Sequence, residues 1–431
     1  MLESVPRGSW NALLERYGLS EEVPASMAPA VARLEAYLAF CAIEDSEPEK
    51  VLEGLVGIAR ENGLSVARVM VAWRMLDTRF ATKQLIWREG RGIEVSLYSR
   101  QDAMNSDAYL RSPLRAVVED QSRQVLRRRI CEPAERTGYP ALDDYAADGL
   151  TDYIIYKVQF GENAVVVVPG AGVVISFASD RPGGFMDDEY EALARLRYML
   201  ALAVRNTMQT EMRESVTRTY LARSASDLMR TGDMLRGSGS TVDSVIWYCD
   251  LRGSTALCEG LGLDRYLPLL NAYFAATAGE VVAHGGDVLD FIGDAVLAAW
   301  PRSTEGVAAA LAATRAAIAA LAAFREQHGD MLAGRADVAS VAGIAIDVGP
   351  VMSGNIGITE RLTFSVIGST VNQVARIERM TKTLREPVLV TAEVAAAEPG
   401  DWVSRGAFPL EGVAQPKELF ALNDVTAIGA A

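Results

Sequence analysis

The feature that most constrains the fold is an alternation of strand-like and helix-like segments that begins after Ser240. The apolar, β-branched run 242–249 predicts a buried strand, and 263–284 has the apolar spacing of a helix. Two shorter strand-like runs follow at 288–292 and 295–300. The block occupies about 185 residues, the size of one compact domain, so we expect a single domain of mixed helix and strand.

Two aspartates lie at the ends of these strands. Asp250 follows the first strand, and Asp294 follows Gly293 in the tight turn between the two short ones. Carboxylates at strand ends can hold hard divalent cations, which prefer oxygen ligands and keep substrate phosphates in their coordination shell. Gly-Asp and Asp-Gly pairs are also common in ordinary turns, so the spacing alone leaves both interpretations open.

The composition narrows the possible chemistry. With 42 Lys and Arg against 56 Asp and Glu, the formal net charge is −14, which argues against a protein that coats nucleic acid or an anionic membrane. Only His284 and His328 are available, which excludes a zinc site built on several histidines. The four cysteines lack the spacing of a zinc site or a disulfide scaffold, so we expect reduced, cytosolic thiols.

No targeting or membrane-spanning segment is predicted. The N-terminal residues lack the basic start and apolar core of a signal peptide. The richest apolar run, 308–324, is interrupted by Arg315, and its many alanines favour a helix packed closely on protein. We therefore expect a cytoplasmic protein with neither nucleic acid nor membrane as a partner.

The chain before this block divides into three segments. Residues 1–65 have helical apolar spacing, and residues 66–189 mix helix and strand. Within the second segment, 152–178 contains two or three strand-like runs separated by Gly-Glu-Asn and Pro-Gly-Ala-Gly clusters, which indicates an antiparallel sheet. A loop at 179–185 and acidic residues at 187–189 then predict the start of a long helix.

The third segment, 190–240, combines this helix with a Gly-Ser linker. Apolar residues recur in it at steps of three and four, at Leu193, Leu196, Leu200 and Val204. This spacing predicts one buried face. Two interpretations stay open: a plain connector, or a signalling helix that pairs with its copy in a dimer and passes strain to the following block.

Four motifs follow one another in the C-terminal half. They are WYCDLRGST at 247–255, GDVLDFIGDAVLA at 286–298, GPVMSGNIG at 349–357 and FSVIGSTVNQVAR at 364–376. In this order they closely resemble the motifs of class III nucleotide cyclases, the adenylate and guanylate cyclase family, and the resemblance extends from about Val242 to Phe420. The N-terminal half is similar, much more weakly, to the regulatory region of rhizobial-type adenylate cyclases, through DRPGGF at 180–185 and TYL at 219–221.

The resemblance implies a fold and an assembly. The catalytic domain, 241–424, should have an α+β, ferredoxin-like core that pairs head to tail, with active sites in the cleft between two domains. Because the chain carries one such domain, the resemblance implies a homodimer with two sites and an inactive monomer. The expected product is the 3′,5′-cyclic monophosphate of a nucleoside triphosphate, released together with diphosphate.

The resemblance also implies the catalytic residues. Asp250 and Asp294 match the metal ligands, and the backbone carbonyl of Leu251 would be a further ligand, for two Mg²⁺ or Mn²⁺ ions per active site. Asn372 and Arg376 match the transition-state pair, in which the amide orients the ribose and the guanidinium meets the charge developing on the α-phosphate. In the family, one subunit supplies the aspartates and the other supplies the Asn/Arg pair.

A glycine-containing loop matches the phosphate-binding segment, in which backbone amides hold the terminal phosphates. Its members are Arg252, Gly253, Ser254 and Thr255. Glu411 departs from the pattern, because many relatives have Lys or Arg there as a triphosphate contact. Either Lys417 or Arg361 compensates for it, or the phosphate affinity is lower than usual.

Two positions that read the purine in this family also depart from the adenylate pattern, Asp290 and Ser365. Guanine offers donors at N1 and N2 and an acceptor at O6, which a carboxylate and a hydroxyl can satisfy together, and uracil fits the same pair. A carboxylate facing N1 of adenine is repelled. Because relatives of this architecture are mostly adenylate cyclases, we expect ATP first, with GTP or UTP as the alternative.

Two further alternatives concern the function of each half. The C-terminal half could be a non-catalytic cyclase-like sensor that binds nucleotide without turnover, although its metal and Asn/Arg pairs are complete. For 66–189, the strands and the long exit helix favour a GAF-like α+β regulatory domain with an unidentified small-molecule ligand. A structural dimerisation domain without a ligand is equally open.

Overall fold

The computed structural model describes residues 23–120, 122–160, 172–225, 237–332, 334–358 and 361–423. The predicted turn clusters near 161 and 170, and the first part of the predicted helical segment 1–65, lie outside the described residues. The chain forms two compact units, Met1–Thr219 and Tyr220–Ala431. Each unit has its own sheet.

The N-terminal unit is built on an antiparallel sheet. Its strands are β1 (Arg68–Arg74), β2 (Phe80–Arg88), β3 (Gly92–Ser99), β4 (Val125–Arg128), β5 (Asp152–Gln159) and β6 (Gly172–Ser179). They lie in the order β3-β2-β1-β6-β5-β4. The helices are α1 (Ala28–Ile43), α2 (Pro48–Glu61), α3 (Asp102–Asn105), α4 (Asp107–Leu110), α5 (Pro113–Glu119), α6 (Ala141–Ala147) and α7 (Asp187–Tyr220), with a 3₁₀ turn at Pro133–Arg136.

Side-chain alternation along the strands gives this sheet two buried faces. Helices α1, α2 and α7 cover one face, with Leu34, Leu52 and Leu196 packed in the same core as Phe177 of β6. Helices α5 and α6 contribute to the other face. The predicted helices and the β5–β6 antiparallel pair are confirmed, and the described parts of 1–65 and 66–189 share one core, whereas the GAF-like assignment stays a prediction.

The DRPGGF loop connects the sheet to the start of α7. The backbone N–H of Phe185 donates to Oδ2 of buried Asp152 on β5 at 3.1 Å, and Arg181 pairs with Glu189. Glu189 is fully buried in the first turn of α7 and also accepts from the backbone N–H of Ser65 at 2.9 Å. The motif therefore has a structural role at the base of the long helix.

The C-terminal unit has a larger sheet of eight strands among its described residues. The strands are β7 (Gly239–Leu251), β8 (Asp287–Ile292), β9 (Ala295–Pro301), β10 (Ala342–Ile358), β11 (Arg361–Ile367), β12 (Val388–Thr391), β13 (Trp402–Phe408) and β14 (Lys417–Leu422). The helices are α8 (Ser254–Leu261), α9 (Leu263–Ala283), α10 (Thr304–Gln327), α11 (Val338–Val341), α12 (Ser369–Leu384) and α13 (Ala392–Ala395).

The order of the strands in this sheet places β7, the strand with the first predicted metal ligand, near its middle. The strands lie in the order β13-β14-β12-β10-β7-β9-β8, and β11 pairs with β10. Strand β7, helices α8 and α9, hairpin β8–β9, helix α10 and strand β10 follow the βαββαβ succession of a ferredoxin-like core. The mixed α/β fold is as predicted, and β7 lies in the middle of the sheet, paired antiparallel with both β9 and β10.

Strand β7 is buried on both faces. Trp247 and Cys249 point toward helices α9 and α10, and the Trp247 indole N–H donates to Thr314 Oγ1 at 3.0 Å. Ile246 points to the opposite face, where it packs with Val374 and Ile377 of α12. The helices on each side thereby fix the end of β7, where Asp250 lies.

Helix α10 corresponds to the apolar run noted in the sequence. By length and composition it could cross a membrane, since an 18-residue window has a mean hydropathy of 1.9, and 44% of that window is buried inside the structure. Its inner face lies in the core with Leu311 and Ile318, and Arg315 pairs with Glu398 and Asp401. We interpret it as a core helix of the C-terminal unit.

Candidate active site

The first predicted metal ligand, Asp250, lies at the C-terminal end of β7. Its neighbour across the ladder on β10 is Gly343, which has no side chain. A Cβ at Gly343 would lie 2.2 Å from Thr381 Oγ1 and 2.6 Å from Glu378 Oε1, so a larger residue would displace α12. This glycine allows the end of β7 and helix α12 to pack closely beside the Asp250 carboxylate.

The second predicted ligand, Asp294, lies on the hairpin between β8 and β9, as the sequence indicates. Gly293 before it has a φ of 67°, in the left-handed region that glycine adopts readily. The turn places the half-buried Asp294 side chain against that of Asp250. The structure therefore brings together two carboxylates that are far apart in sequence.

This contact has an electrostatic cost. Burial, the contact with Asp294 and the nearby Glu378 carboxylate raise the pKa of Asp250 to about 7. Burial and the same charges raise the pKa of Tyr248, two residues earlier on the strand, to about 12. Two carboxylates held together in a partly buried place form a site that a divalent cation would stabilise by neutralising their charge.

The protein side chains supply only some of the oxygen ligands that such a cation needs. Among the described residues, no cluster of three or more His, Cys, Asp or Glu side chains could hold a metal ion. Leu251, the third predicted ligand, has its side chain buried in the core directly after Asp250, so only its backbone could contribute. Two carboxylates and a carbonyl leave coordination positions for substrate phosphates and water, as Mg²⁺ sites commonly do.

The predicted phosphate loop lies between this pair and helix α8. Gly253 adopts a left-handed φ of 57°, and α8 starts at Ser254 without a side-chain cap in this described segment. The Ser254 side chain forms a hydrogen bond with Tyr266 of α9. The backbone amides of Ser254 and Thr255 lie in the first turn of the helix, where N–H groups have no intrahelical partner and can bind an anion.

Arg252 differs from the other members of the loop. Its guanidinium pairs with Glu378 at 3.2 Å and also donates to Thr381 and to the Ala339 carbonyl, and its backbone N–H donates to the Val341 carbonyl. The side chain is 13% exposed. These contacts argue against the predicted phosphate role of Arg252 and give it a structural one, as the counter-charge of buried Glu378.

The predicted transition-state pair lies on helix α12. Asn372 is exposed and Arg376 is half-buried, one turn apart, while Val374 and Ile377 face the core. The Arg376 guanidinium approaches the turn at Gly412, where a Cβ would lie 3.4 Å from Nη2. Among the described residues, no hydrogen bond or ion pair joins this pair to either aspartate.

The same turn contains Glu411, the position without the usual basic residue. Glu411 is exposed and directly precedes Gly412, the glycine that the Arg376 guanidinium approaches. Burial raises the pKa of the Asp347 carboxyl, and the charge of nearby Lys417 opposes that increase. Compensation by Lys417 or Arg361 stays a prediction.

The two base-reading positions lie on neighbouring strands. Asp290 is exposed on β8, and Ser365 is half-buried on β11, where it is paired with Gly354 of β10. Strands β8 and β11 contact each other, so the two positions lie on adjoining strands. The base that they read stays a prediction.

Sequence reasoning missed three residues around the site. Glu378 adds a third carboxylate near Asp250, and Arg335 donates to the Arg252 carbonyl next to Gly253. Asp287, at the start of β8, accepts from the backbone N–H groups of Arg223 at 2.7 Å and Ser224 at 3.0 Å, and from the Ser224 hydroxyl at 2.6 Å. Each contact joins residues far apart in sequence, and no local pattern marks it.

Comparison with known proteins finds relatives that include named adenylate cyclases. An adenylate cyclase of Anabaena cylindrica is 32% identical over 159 residues, which cover 37% of this chain and 31% of that protein. Adenylate cyclase 2 of Rhizobium meliloti is 31% identical over 155 residues, which cover 35% of this chain and 41% of that protein. The chain thus spans less than half the length of these relatives, and no protein-family model matches it.

Comparison with solved structures also finds cyclases. The guanylyl cyclase Cya2 shows 26% identity, covers 43% of this chain and 93% of its own, and has a TM-score of 0.37. A bacterial light-regulated adenylyl cyclase shows 19% identity, covers 71% of this chain and 96% of its own, and has a TM-score of 0.44. Both TM-scores are below 0.5, so the relation to cyclases is inferred from the sequence relatives and not from these structures. With the four ordered motifs, these relatives show that the chain is related to the class III nucleotide cyclases, as the sequence predicts.

Proposed function

We propose that this protein is a nucleotide cyclase, which converts a nucleoside triphosphate into its 3′,5′-cyclic monophosphate and diphosphate. The observation that carries the proposal is the contact between Asp250 and Asp294, at a strand end and a hairpin that the sequence motifs single out. A raised pKa caused by burial and a like charge is typical of carboxylates kept together for function. The named relatives support the same reaction.

We further propose that Asp250, Asp294 and the Leu251 carbonyl hold two Mg²⁺ or Mn²⁺ ions. When bound, such cations lower the pKa of the attacking hydroxyl and neutralise charge on the phosphates. The protein's own groups do the rest. The amides of Ser254 and Thr255 hold the terminal phosphates, which positions the α-phosphate for attack within the same nucleotide.

Asn372 and Arg376 complete the proposed site. The Asn372 amide, exposed on α12, orients the ribose, and the Arg376 guanidinium meets the charge that develops on the α-phosphate. Neither side chain bonds to the aspartates of its own chain among the described residues. We therefore propose that each site combines the aspartates of one subunit with the Asn/Arg pair of the other.

Exposed apolar side chains support a homodimer. Phe291 and Ile292 are 50% and 52% exposed immediately before the hairpin that carries Asp294, and Ile367 is 51% exposed at the start of the segment leading into α12. Their strands, β8 and β11, contact each other. Exposed apolar groups of this kind mark a protein interface, and a second copy placed here would lie against both parts of the site.

For the substrate we propose ATP, because the named relatives are adenylate cyclases. GTP or UTP is the alternative, and the exposed Asp290 carboxylate with Ser365 on the neighbouring strand favours it, since both bases offer ring N–H donors. A non-catalytic nucleotide sensor is the second candidate function. The negative charge of Glu411 beside the Arg376 turn favours it by opposing a triphosphate.

We also propose that the N-terminal unit is regulatory and GAF-like, and that α7 is the signalling helix of 190–240. Helix α7 is 34 residues long, and Glu189 in its first turn is fully buried. Both features support a rigid connection from the sheet to the helix. A cytoplasmic location stays part of the proposal.

The deciding experiment incubates the purified protein with each of the four nucleoside triphosphates and Mn²⁺ or Mg²⁺, and identifies cyclic products by mass spectrometry. Asp250→Ala and Asp294→Ala should abolish product, while Asp264→Ala, an exposed aspartate on α9, should not. Full turnover in both aspartate variants would refute the metal assignment. Nucleotide binding without any cyclic product would support the sensor instead.

Complementation tests the shared site. Asp250→Ala and Asn372→Ala chains, each inactive alone, should recover up to about a quarter to a half of the activity when mixed, because half of the mixed dimers' sites are intact. Light scattering should show a dimer. Mixed chains that exchange subunits but recover no activity would contradict the arrangement.

A further inference from the structure

A buried cation in the N-terminal unit lacks a charged partner among the described residues. Arg68 on β1 is 4% exposed. Its Nη1 donates to Ser176 Oγ at 3.2 Å, and its guanidinium carbon lies 4.9 Å from the centroid of the Tyr145 ring. The Nε atom is buried and has no hydrogen-bond partner in the described part of the chain.

Two other arginines of this unit are paired with carboxylates. Arg127 contacts Asp152 at 2.7 Å, and Arg195 contacts Glu35 at 2.7 Å. Both of these side chains are more exposed than Arg68, at 21% and 29%. The most buried of the three arginines is therefore the one without a counter-charge.

An unpaired guanidinium is costly in this environment. Arginine stays protonated in proteins, so Arg68 cannot relieve the cost by losing its proton. Removing a charge from water without a partner is strongly unfavourable, and a buried N–H without an acceptor adds to the penalty. The ring of Tyr145 and the hydroxyl of Ser176 offset only part of it.

The surroundings of Arg68 combine a few polar groups with apolar walls. Ser176 and Tyr153 are buried beside it and their side chains are hydrogen-bonded to each other. Ile86 and Leu142 lie in the same cluster, and Leu142 belongs to α6, one of the short helices over this face of the sheet. This combination is typical of a small-molecule site, where polar groups fix one end of a ligand and apolar groups hold its body.

We propose that Arg68 binds the carboxylate of a small organic acid with an apolar body, between the β1–β6–β5 sheet face and α6. One positive charge is balanced by one negative charge, which favours a monocarboxylate over a phosphate dianion. The guanidinium edge that contains Nε takes a carboxylate through parallel N–H bonds. The Ser176 hydroxyl lies on the same guanidinium and can contribute a further hydrogen bond.

The test uses the full chain with benzoate and butyrate as probes, inorganic phosphate as a second anion, and benzamide as the uncharged analogue of benzoate. Calorimetry and thermal unfolding are measured on the wild type, Arg68→Met, Arg68→Lys and, as a matched control, Arg91→Met, which removes an exposed arginine. At least one carboxylate should bind and raise the Tm of the wild type and of Arg91→Met. Benzamide should not, and Arg68→Met should weaken carboxylate binding about tenfold or more.

The ligand-free proteins give an independent result. Because Met replaces a buried unpaired charge with an apolar group of similar length, ligand-free Arg68→Met should unfold at the same temperature as the wild type or higher. A large decrease in its Tm would assign Arg68 a structural role and overturn the proposal. Arg68→Lys keeps the charge without the planar fork, so it should fold and bind the carboxylate more weakly than the wild type.

Three other results would also overturn the proposal. They are no carboxylate binding to the wild type, equal binding to Arg68→Met, and phosphate binding more tightly than both carboxylates. Because the readout is binding and unfolding, the result does not depend on cyclase activity. The cyclase proposal could therefore fail while the carboxylate site is confirmed, and the carboxylate site could fail while the cyclase proposal is confirmed.

Discussion

The Asp250–Asp294 contact predicts that the catalytic pair destabilises the metal-free fold at neutral pH. Burial and Asp294 raise the pKa of Asp250 from 3.8 to about 7. An increase of this size corresponds to about 4 kcal/mol against the charged form, and solvent screening at a half-exposed carboxyl reduces it to about 2 kcal/mol. Burial is the largest cause, so the Asp294 charge accounts for about 1 kcal/mol of that figure.

The sign follows from the direction of the shift. A carboxyl whose pKa is raised by folding favours the folded state below about pH 4, and that contribution is lost as pH rises from about 4 to about 7. Asp294→Asn removes one of the two charges. We therefore expect the variant to be about 1 kcal/mol more stable than the wild type above pH 7, which is about 2–4 °C in the Tm of the C-terminal unit. Near pH 4 the difference should vanish.

The assay is thermal unfolding in EDTA across this pH range. Mn²⁺ at about a hundredfold excess over its Kd should then stabilise the wild type by about 2.7 kcal/mol and the variant much less. Asp264→Asn, which removes an exposed charge of the same unit, is the control and should follow the wild type. Identical pH profiles for the wild type and Asp294→Asn would refute the reasoning, because the two carboxylates would then not interact.

Three further predictions concern the surroundings of the site. Arg252→Met should lower the free energy of unfolding by about 3 kcal/mol, measured by urea unfolding, because it leaves buried Glu378 unpaired. Asp287→Ala should speed proteolysis at residues 220–225, since it removes three hydrogen bonds that hold this segment, each contributing about 1 kcal/mol. Replacing Asp290 with Lys and Ser365 with Asp should raise the ratio of ATP to GTP turnover by about tenfold or more, measured as kcat/KM.

Each of these predictions has its own control. Combining Arg252→Met with Glu378→Met should recover most of the lost stability, and no recovery would mean that the ion pair is not the cause. For Asp287→Ala, an unchanged cleavage rate at 220–225 would show that the segment is held by other contacts. For the base pocket, an unchanged ATP to GTP ratio would mean that Asp290 and Ser365 do not face the base.

The part of the site that the sequence predicts is local in sequence. The hairpin that carries Asp294 is encoded by Gly293 between two apolar runs, and the strand that ends at Asp250 is encoded by its own apolar residues. Their mutual contact follows only from the family resemblance. The sequence could not show that Arg252 turns away from phosphate, because its partner Glu378 lies 126 residues further along the chain.

The N-terminal unit shows the same limit. Apolar spacing predicts α1, α2 and the start of α7, because helices report their buried face in their own sequence. It does not predict that all three share one core with the sheet, or that Arg68 lies buried on the opposite face. Such facts depend on sheet order, which involves strands far apart in the chain.

The hydrogen bonds of Asp287 hold the short segment that follows α7. The helix ends at Tyr220 and the anchored backbone begins at Arg223, so two residues lie between them, and the three Cα–Cα steps span about 11 Å when fully extended. Asp287 is the first residue of β8, and the same strand leads into the hairpin of Asp294. The anchor therefore ties the segment that directly follows α7 to the strand that leads into the Asp294 turn, all within the C-terminal unit.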